Sequence, residues 1–194
     1  MNSRNLEEMV NLTGSRKDSF ELMIQHLKSC QYPLIVETGV CSKNSTYELT
    51  GMSTFIWDAV SAHTSGTVQC VDADADNCRF SKQNTSDKTM VYCGDSVQFL
   101  DYKEREYDKL SRKIDLLYLD TYELDLENLH QMAQHHVYEL MAIKSALRPG
   151  TLICIDNHVI ENNNYVGPGV YVEEFMRHLN KPMRYKGTQW IWEW

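Results

Sequence analysis

Long apolar runs, basic clusters and paired cysteines are all missing from this 194-residue chain, and each absence removes a class of function. No stretch approaches the roughly 18 apolar residues needed to cross a bilayer. Residues 1–8 lack the apolar segment of a signal peptide, so a cytoplasmic protein with no membrane partner is expected. No cluster of five or six Lys and Arg occurs, and 19 basic against 27 acidic residues give a net charge of −8. Affinity for a phosphate backbone comes from cations, so no nucleic-acid partner is expected. A cationic ligand or a metal ion suits this balance better. The six cysteines form no Cys-x-x-Cys pair and read as reduced, mostly buried thiols. Proline (4) and glycine (9) are scarce, and no repeat or low-complexity tract occurs, which excludes fibrous and disordered chains. No Gly-x-Gly-x-x-Gly occurs either, so a pyrophosphate cofactor is disfavoured and a nucleoside ligand without phosphate fits better.

What is present reads as one domain over residues 1–194, long enough to bury roughly 70% of its unfolded surface. Apolar runs alternate with helical patterns, the signature of an α/β domain with a doubly wound, mostly parallel sheet. Strands are expected at Leu34-Ile35-Val36, 68–71, 91–93, 114–119 and 151–155. Helices are expected over about 15–29, 51–63, 74–84, 96–107, 126–147 and 170–179. Residues 1–30 would form a helical lid or a packing segment. At the far end Trp190, Trp192 and Trp194 alternate with Ile191 and Glu193, which predicts an antiparallel closing strand with an aromatic face for the core or for a homodimer contact.

In open α/β sheets a ligand sits beyond the carboxyl ends of the strands. Here those ends are acidic: Glu37-Thr38-Gly39, Asp72, Gly94-Asp95-Ser96, Asp120 and Asp156-Asn157. Asp72, one βα unit after a glycine turn, is placed to accept hydrogen bonds from ribose hydroxyls. Asp72 to Asp76 also resembles a calcium loop, but Asn77 stands where Gly is needed and Gln83 where a bidentate Glu is needed. If the fourth and fifth strands are neighbours, about 5 Å apart, then Asp120, Asp156 and Asn157 converge and would suit a hard divalent ion, magnesium being expected, with manganese or calcium as alternatives. Zinc on the alternating Cys154, Asp156 and His158 is a weaker fit, because Cys154 lies in an apolar run. The three histidines at 130, 135 and 136 fall on a helical surface and carry no role.

The stretch Val36-Glu37-Thr38-Gly39, followed after a long loop by Gly51-Met52-Ser53-Thr54, resembles the first motif of class I S-adenosylmethionine-dependent methyltransferases. The resemblance covers roughly residues 30–180. It implies a Rossmann-like methyltransferase fold in which Glu37, Gly39, Gly51 and Ser53 hold the methionine part of the cofactor, Asp72 the ribose, and Asp95, Ser96 and Tyr122 the adenine. Asp120, then Arg148-Pro149-Gly150-Thr151 leading to Asp156-Asn157, then Gly167-Pro168-Gly169, is similar to the metal-dependent catechol O-methyltransferase type. That likeness implies that Asp120, Asp156 and Asn157 bind magnesium and that Asp120 also borders the cofactor and the chemistry. Glu123 stands where that type has its lysine base, so the proton would go to Glu123 or to His158.

The resulting expectation is metal-assisted O-methylation of a small molecule or sugar. The polar Asn162-Asn163-Asn164-Tyr165 is compatible with a sugar. The competing expectations are metal-dependent chemistry of another kind, such as hydroxylation, on the same scaffold, and a nucleoside-binding module without turnover.

Overall fold

The computed structural model describes residues 5–161 and 164–194. Asn162 and Asn163, read above as part of a sugar-compatible loop, lie outside the described residues. The centre is a seven-stranded sheet in the order β3-β2-β1-β4-β5-β9-β8. Its parallel part comprises β1 (Leu34–Thr38), β2 (Thr67–Asp72), β3 (Thr89–Cys93), β4 (Leu116–Leu119) and β5 (Leu152–Ile155). A hairpin of β8 (Met183–Lys186) and β9 (Trp190–Glu193) completes it, with β9 running antiparallel between β5 and β8. A small ribbon, β6 (Val159–Glu161) with β7 (Asn164–Val166), stands apart.

The strands read as unbroken apolar runs because helices cover both faces of the sheet. Odd and even positions separate cleanly into two cores. Ile35, Val68, Tyr118, Cys154 and Ile191 face one core with α1 (Leu6–Asn11), α2 (Lys17–Ser29) and α4 (Ser53–Thr64). Leu34, Val36, Leu117, Leu119, Ile153, Ile155, Trp190 and Trp192 face the other, covered by α6 (Ser96–Lys109), α7 (Leu129–Ile143) and α8 (Val170–His178). Burying each of these aliphatic side chains stabilises the fold by about 1.5 to 3 kcal/mol. The tryptophan stripe is core: Trp190 and Trp192 are buried, with rings 6.0 Å apart.

α2 is a packing helix. Phe20, Met23, Ile24 and Leu27 fall on one stripe and are all buried. Phe20 stands 5.3 Å from Trp57, which stands 5.4 Å from Tyr118 on β4. Two short helices complete the rim: α3 (Tyr47–Thr50), capped by Thr46, and α5 (Ala75–Asn84), capped by Asp74. The Asp74 side chain accepts from the N–H groups of Asp76 and Asn77, so the calcium-like loop is a helix start. Among the described residues no helix is long and apolar enough to cross a membrane.

Candidate active site

The chain order reverses between β1 and β4, and that switch point sets the centre of the rim. Gly39 follows β1 with φ +80°, and a Cβ there would lie 2.0 Å from the carbonyl oxygen of Asp120. Only glycine combines the left-handed backbone with so close an approach. Two residues earlier, on β1, Glu37 is fully buried, and neither carboxylate oxygen has a hydrogen-bond partner. Burial pushes its carboxyl up to about 8, opposed by Ser53 and Thr54 at the start of α4. A positive group brought by a ligand would satisfy such an orphaned buried carboxylate.

At the end of β2, Asp72 accepts from the N–H of Val40 (3.0 Å) and of Asp74 (2.7 Å). Its carboxylate thus shapes the turn after Gly39 and keeps further lone pairs for a ligand. Asp95 caps α6 by accepting from Gln98 N at 2.8 Å. Between these ends lies a cavity of about 160 Å3 whose lining includes Gly39, Asp72, Asp95, Ser96, Tyr122 and His135. A second cavity of about 120 Å3, lined by Val40, Asp120, Tyr122, Glu123 and Asn157 among others, shares Tyr122 with the first.

The wall behind Tyr122 is a buried ionic network. Glu139 on α7 is fully buried and meets His136 Nδ1 at 2.7 Å and His135 Nε2 at 3.4 Å. Thr121 donates to the same carboxylate and pairs with the Thr38 hydroxyl at 2.9 Å. His135 Nε2 also meets the Ser96 hydroxyl at 2.9 Å, and its ring stands edge-on to Tyr122 at 5.1 Å. His135 and His136 therefore belong to this wall rather than to a plain helical surface. Burial alone would raise the Glu139 carboxyl, but the hydrogen bonds from His135 and His136 outweigh it and hold the group well below the ordinary carboxylate range. The bond to Glu139 raises His135 in turn.

These shifts set opposite pH limits. The depressed Glu139 contributes stability above its unfolded value of 4.5, lost as pH falls below it. The raised His135 contributes below its unfolded value of 6.5, and this is lost as pH rises through the folded value. Glu139→Gln is expected to cost about 3 kcal/mol at pH 6. Urea titrations should show the gap to wild type narrowing below pH 4.5; a gap that stays constant with pH would refute the network's role.

Asp120, Asp156 and Asn157 do come together, but around a protein cation. Arg16, in the turn before α2, donates from Nε to both oxygens of Asp156 (2.9 and 3.0 Å), from Nη1 to Leu49 O (3.1 Å) and from Nη2 to Asn157 Oδ1 (3.0 Å). Asp156 further accepts from Tyr118 Oη (2.5 Å), Gln189 Nε2 (2.9 Å) and Asn157 N (2.6 Å). Asn157, with φ +69° in a region asparagine tolerates, turns its amide back so that Nδ2 donates to Asp120 Oδ1 at 2.6 Å. This arrangement does not support the expected divalent site. Both oxygens of Asp156 and the amide oxygen of Asn157, the atoms a metal would need, are taken up by Arg16 and its neighbours. Among the described residues no group of three or more His, Cys, Asp or Glu is arranged to hold a metal ion. Burial next to Asp156 raises the Asp120 carboxyl well above its ordinary value.

No protein-family model matches the sequence, and no curated protein resembles it closely enough to count as a relative. Solved structures do resemble it. NSun6 from Pyrococcus horikoshii, solved with SFG, is 11% identical over 89% of this chain and 50% of its own, with a TM-score of 0.57. The chain thus spans about half the length of NSun6. The DhpI–SAH complex (10% identity, 91% of this chain and 83% of that one, TM-score 0.46) and the antibiotic-resistance methyltransferase Kmr (12%, 88% and 90%, 0.46) are more distant in shape.

The fold is Rossmann-like, an α/β domain with a mostly parallel seven-stranded sheet similar to that of NSun6. Nothing in these likenesses singles out the metal-dependent catechol type.

Within this fold, two residues singled out by the sequence, His158 and Gly51, line neither cavity, and Glu123 lines the smaller one. His158 is buried, with Nε2 accepting from Gly169 N at 3.0 Å and Nδ1 facing Thr188 O at 3.3 Å. It stacks on Trp190 at 4.0 Å, and burial drives its pKa down to about 3. Cβ atoms on Gly167 or Gly169 would strike its ring, so the Gly-Pro-Gly turn is built around a structural histidine with no lone pair left for a substrate. Glu123 is exposed at the edge of the smaller cavity. Gly51, with φ +74°, packs against Arg16 and Phe20 rather than lining either cavity. Arg16 is the functional residue that the sequence reading passed over, since nothing in Gly14-Ser15-Arg16 signals a partner 140 positions away.

Proposed function

We propose that the chain is an S-adenosylmethionine-dependent methyltransferase that transfers the methyl group to an oxygen of a small molecule. The observation that carries this reading is the buried, unpartnered carboxylate of Glu37, two residues before the Gly39 turn. A cofactor with an ammonium group at one end, ribose hydroxyls in the middle and an uncharged base at the other matches Glu37, Asp72 and the cavity beside Ser96 and Tyr122 in order. When bound, that cofactor supplies a methyl group on a cationic sulfur, which suits an acidic rim.

Glu37 takes the ammonium, with Ser53 and Thr54 beside it. The lone pairs of Asp72 that the backbone leaves over take the ribose. Tyr122 and Ser96 border the base, and the His135–Glu139 pair fixes the wall behind them. Asp120 sits between this site and Asn157, its carboxyl oriented by the Asn157 amide. No step is assigned to a metal. The main contribution of the fold is to hold acceptor and methyl donor in line, an effect worth up to about 7 to 11 kcal/mol.

The test is calorimetric titration of S-adenosylhomocysteine into wild type, Asp72→Ala and Glu37→Gln. Micromolar binding is expected, weakened ten-fold or more by either substitution, about 1.4 kcal/mol. Because free Glu37 titrates near 8, pairing with an ammonium expels its proton. Binding at pH 7 should therefore release a proton to the buffer and tighten toward pH 8. Absence of binding, or binding without proton release that Glu37→Gln leaves untouched, would remove this reading.

A further inference from the structure

A third cavity, of about 580 Å3, opens on the same rim; Asn157 and Leu49 line both it and the 120 Å3 cavity, which shares Tyr122 with the cavity proposed for the cofactor base. Its volume is that of a small-molecule site. Leu124, Val159, Ile160, Tyr165 and Tyr185 give it apolar and aromatic walls, and Arg16 lies at its floor. In a chain of net charge −8, none of the described residues that line it is an aspartate or glutamate. His158, which does, is uncharged near neutral pH because burial drives its pKa to about 3. Among the described residues Arg16 is thus the one full charge facing the space.

That charge is fixed and not exhausted. The side chain of Arg16 is only 7% exposed and is clamped by Asp156. A guanidinium carries five N–H donors in a rigid fork. Nε uses its one on Asp156, and Nη1 and Nη2 use one each on Leu49 and Asn157, so two have no protein partner among the described residues. A planar fork held this way, with apolar walls beyond it, recognises an anionic oxygen group on an apolar body.

The proton balance points the same way. His158 has both ring nitrogens committed, and Glu123 and Asp120 border the smaller cavity, not this one. An acceptor seated here that had to lose a proton would find no carboxylate or free imidazole among the described lining residues to take it. A carboxylate needs none, because it is already ionised at neutral pH.

We propose that this cavity is the acceptor site and that the acceptor is a small carboxylic acid with an apolar or aromatic body, its carboxylate held by the free N–H groups of Arg16. The inference rests on the methyl-transfer reading above and specifies its substrate class. One carboxylate oxygen forms the new C–O bond as the methyl C–S bond breaks, its electron pair going to sulfur. The acceptor loses its negative charge, the sulfonium its positive charge, and no proton is released. The product is a methyl ester.

The experiment titrates benzoate, phenylacetate and hexanoate, and the amide of each, into the full chain saturated with S-adenosylhomocysteine. At least one acid is expected to bind ten-fold or more tightly than its amide. Arg16→Lys, which keeps the charge but not the fork, should erase most of that preference. Tyr165→Ala, on the wall and outside the buried ionic centre, should weaken the same acid about five-fold with cofactor affinity unchanged. With S-adenosylmethionine the bound acid should gain a methyl group that alkali removes as methanol, whereas a methyl ether would resist alkali. Equal binding of acids and amides, or no effect of either substitution, overturns the proposal. Failure of S-adenosylhomocysteine itself to bind would overturn the cofactor reading instead, so the two failures are distinguishable.

Discussion

Gly39→Ala should abolish cofactor binding and remove a large part of the stability of the free protein. Alanine at φ +80° costs about 1 to 2 kcal/mol on backbone grounds alone. Its Cβ would also stand 2.0 Å from the Asp120 carbonyl oxygen, so the β1 and β4 ends must separate. Gly39 N donates to Val71 O and Asp120 N to Thr38 O, so that separation strains the pairing on both sides of the switch point. The total is expected to reach about 4 kcal/mol, the range reserved for core disruptions. Urea midpoints measure it directly. A loss under about 1 kcal/mol, with S-adenosylhomocysteine still bound, would mean the two strand ends can part freely and the close approach is unimportant.

A comparable loss is expected for Asp156→Ala. The substitution leaves the Arg16 guanidinium buried without its carboxylate and strips an acceptor from Tyr118 and Gln189. Breaking one partner out of a buried pair costs about 3 to 5 kcal/mol, most of it the uncompensated charge. Arg16→Met combined with Asp156→Leu should recover much of that cost, because removing both charges removes the desolvation penalty as well. The cycle separates two explanations of the centre. If the double variant is as stable as wild type, the pair is kept for the charge it presents to the third cavity, not for folding. If the single variants cost little, the centre is not the rigid anchor described above.

Much of the scaffold was legible because a sheet covered on both faces writes its strands as short apolar runs. Leu34-Ile35-Val36 and Leu152-Ile153-Cys154-Ile155 need no partner to be recognised. The elements that escaped are those whose burial is partial. Val159, Ile160 and Glu161 make β6 only three residues long and exposed throughout, and Met183 to Lys186 of β8 alternate between half-buried and exposed, so neither reads as a buried strand. The acidic strand ends were visible by position, and the structure places Asp72, Asp95, Asp120 and Asp156 along one rim. What those carboxylates are paired with was not visible. A cluster of Asp120, Asp156 and Asn157 suits a metal as well as it suits an arginine, and sequence spacing cannot reveal a cation arriving from 140 residues upstream. The wall behind Tyr122 did leave a trace: His135 and His136 precede Glu139 by four and three positions, which puts all three on one helical face.

The antiparallel insertion of β9 has a consequence for how the protein behaves among copies of itself. Without β9, the wholly buried strand β5 would present a free row of backbone donors and acceptors flanked by Leu152, Ile153, Cys154 and Ile155, a template onto which a strand from another molecule could add. The hairpin transfers the open edge outward to β8, and that edge is protected. Arg184 and Lys186 place charge along it, Lys186 pairs with Glu173 at 2.8 Å, and an irregular register between Met183 and Tyr185 breaks its flatness. The same few residues that bring Gln189 to Asp156 therefore also keep the sheet from growing past its own boundary, so the integrity of this rim and the colloidal behaviour of the molecule depend on one hairpin.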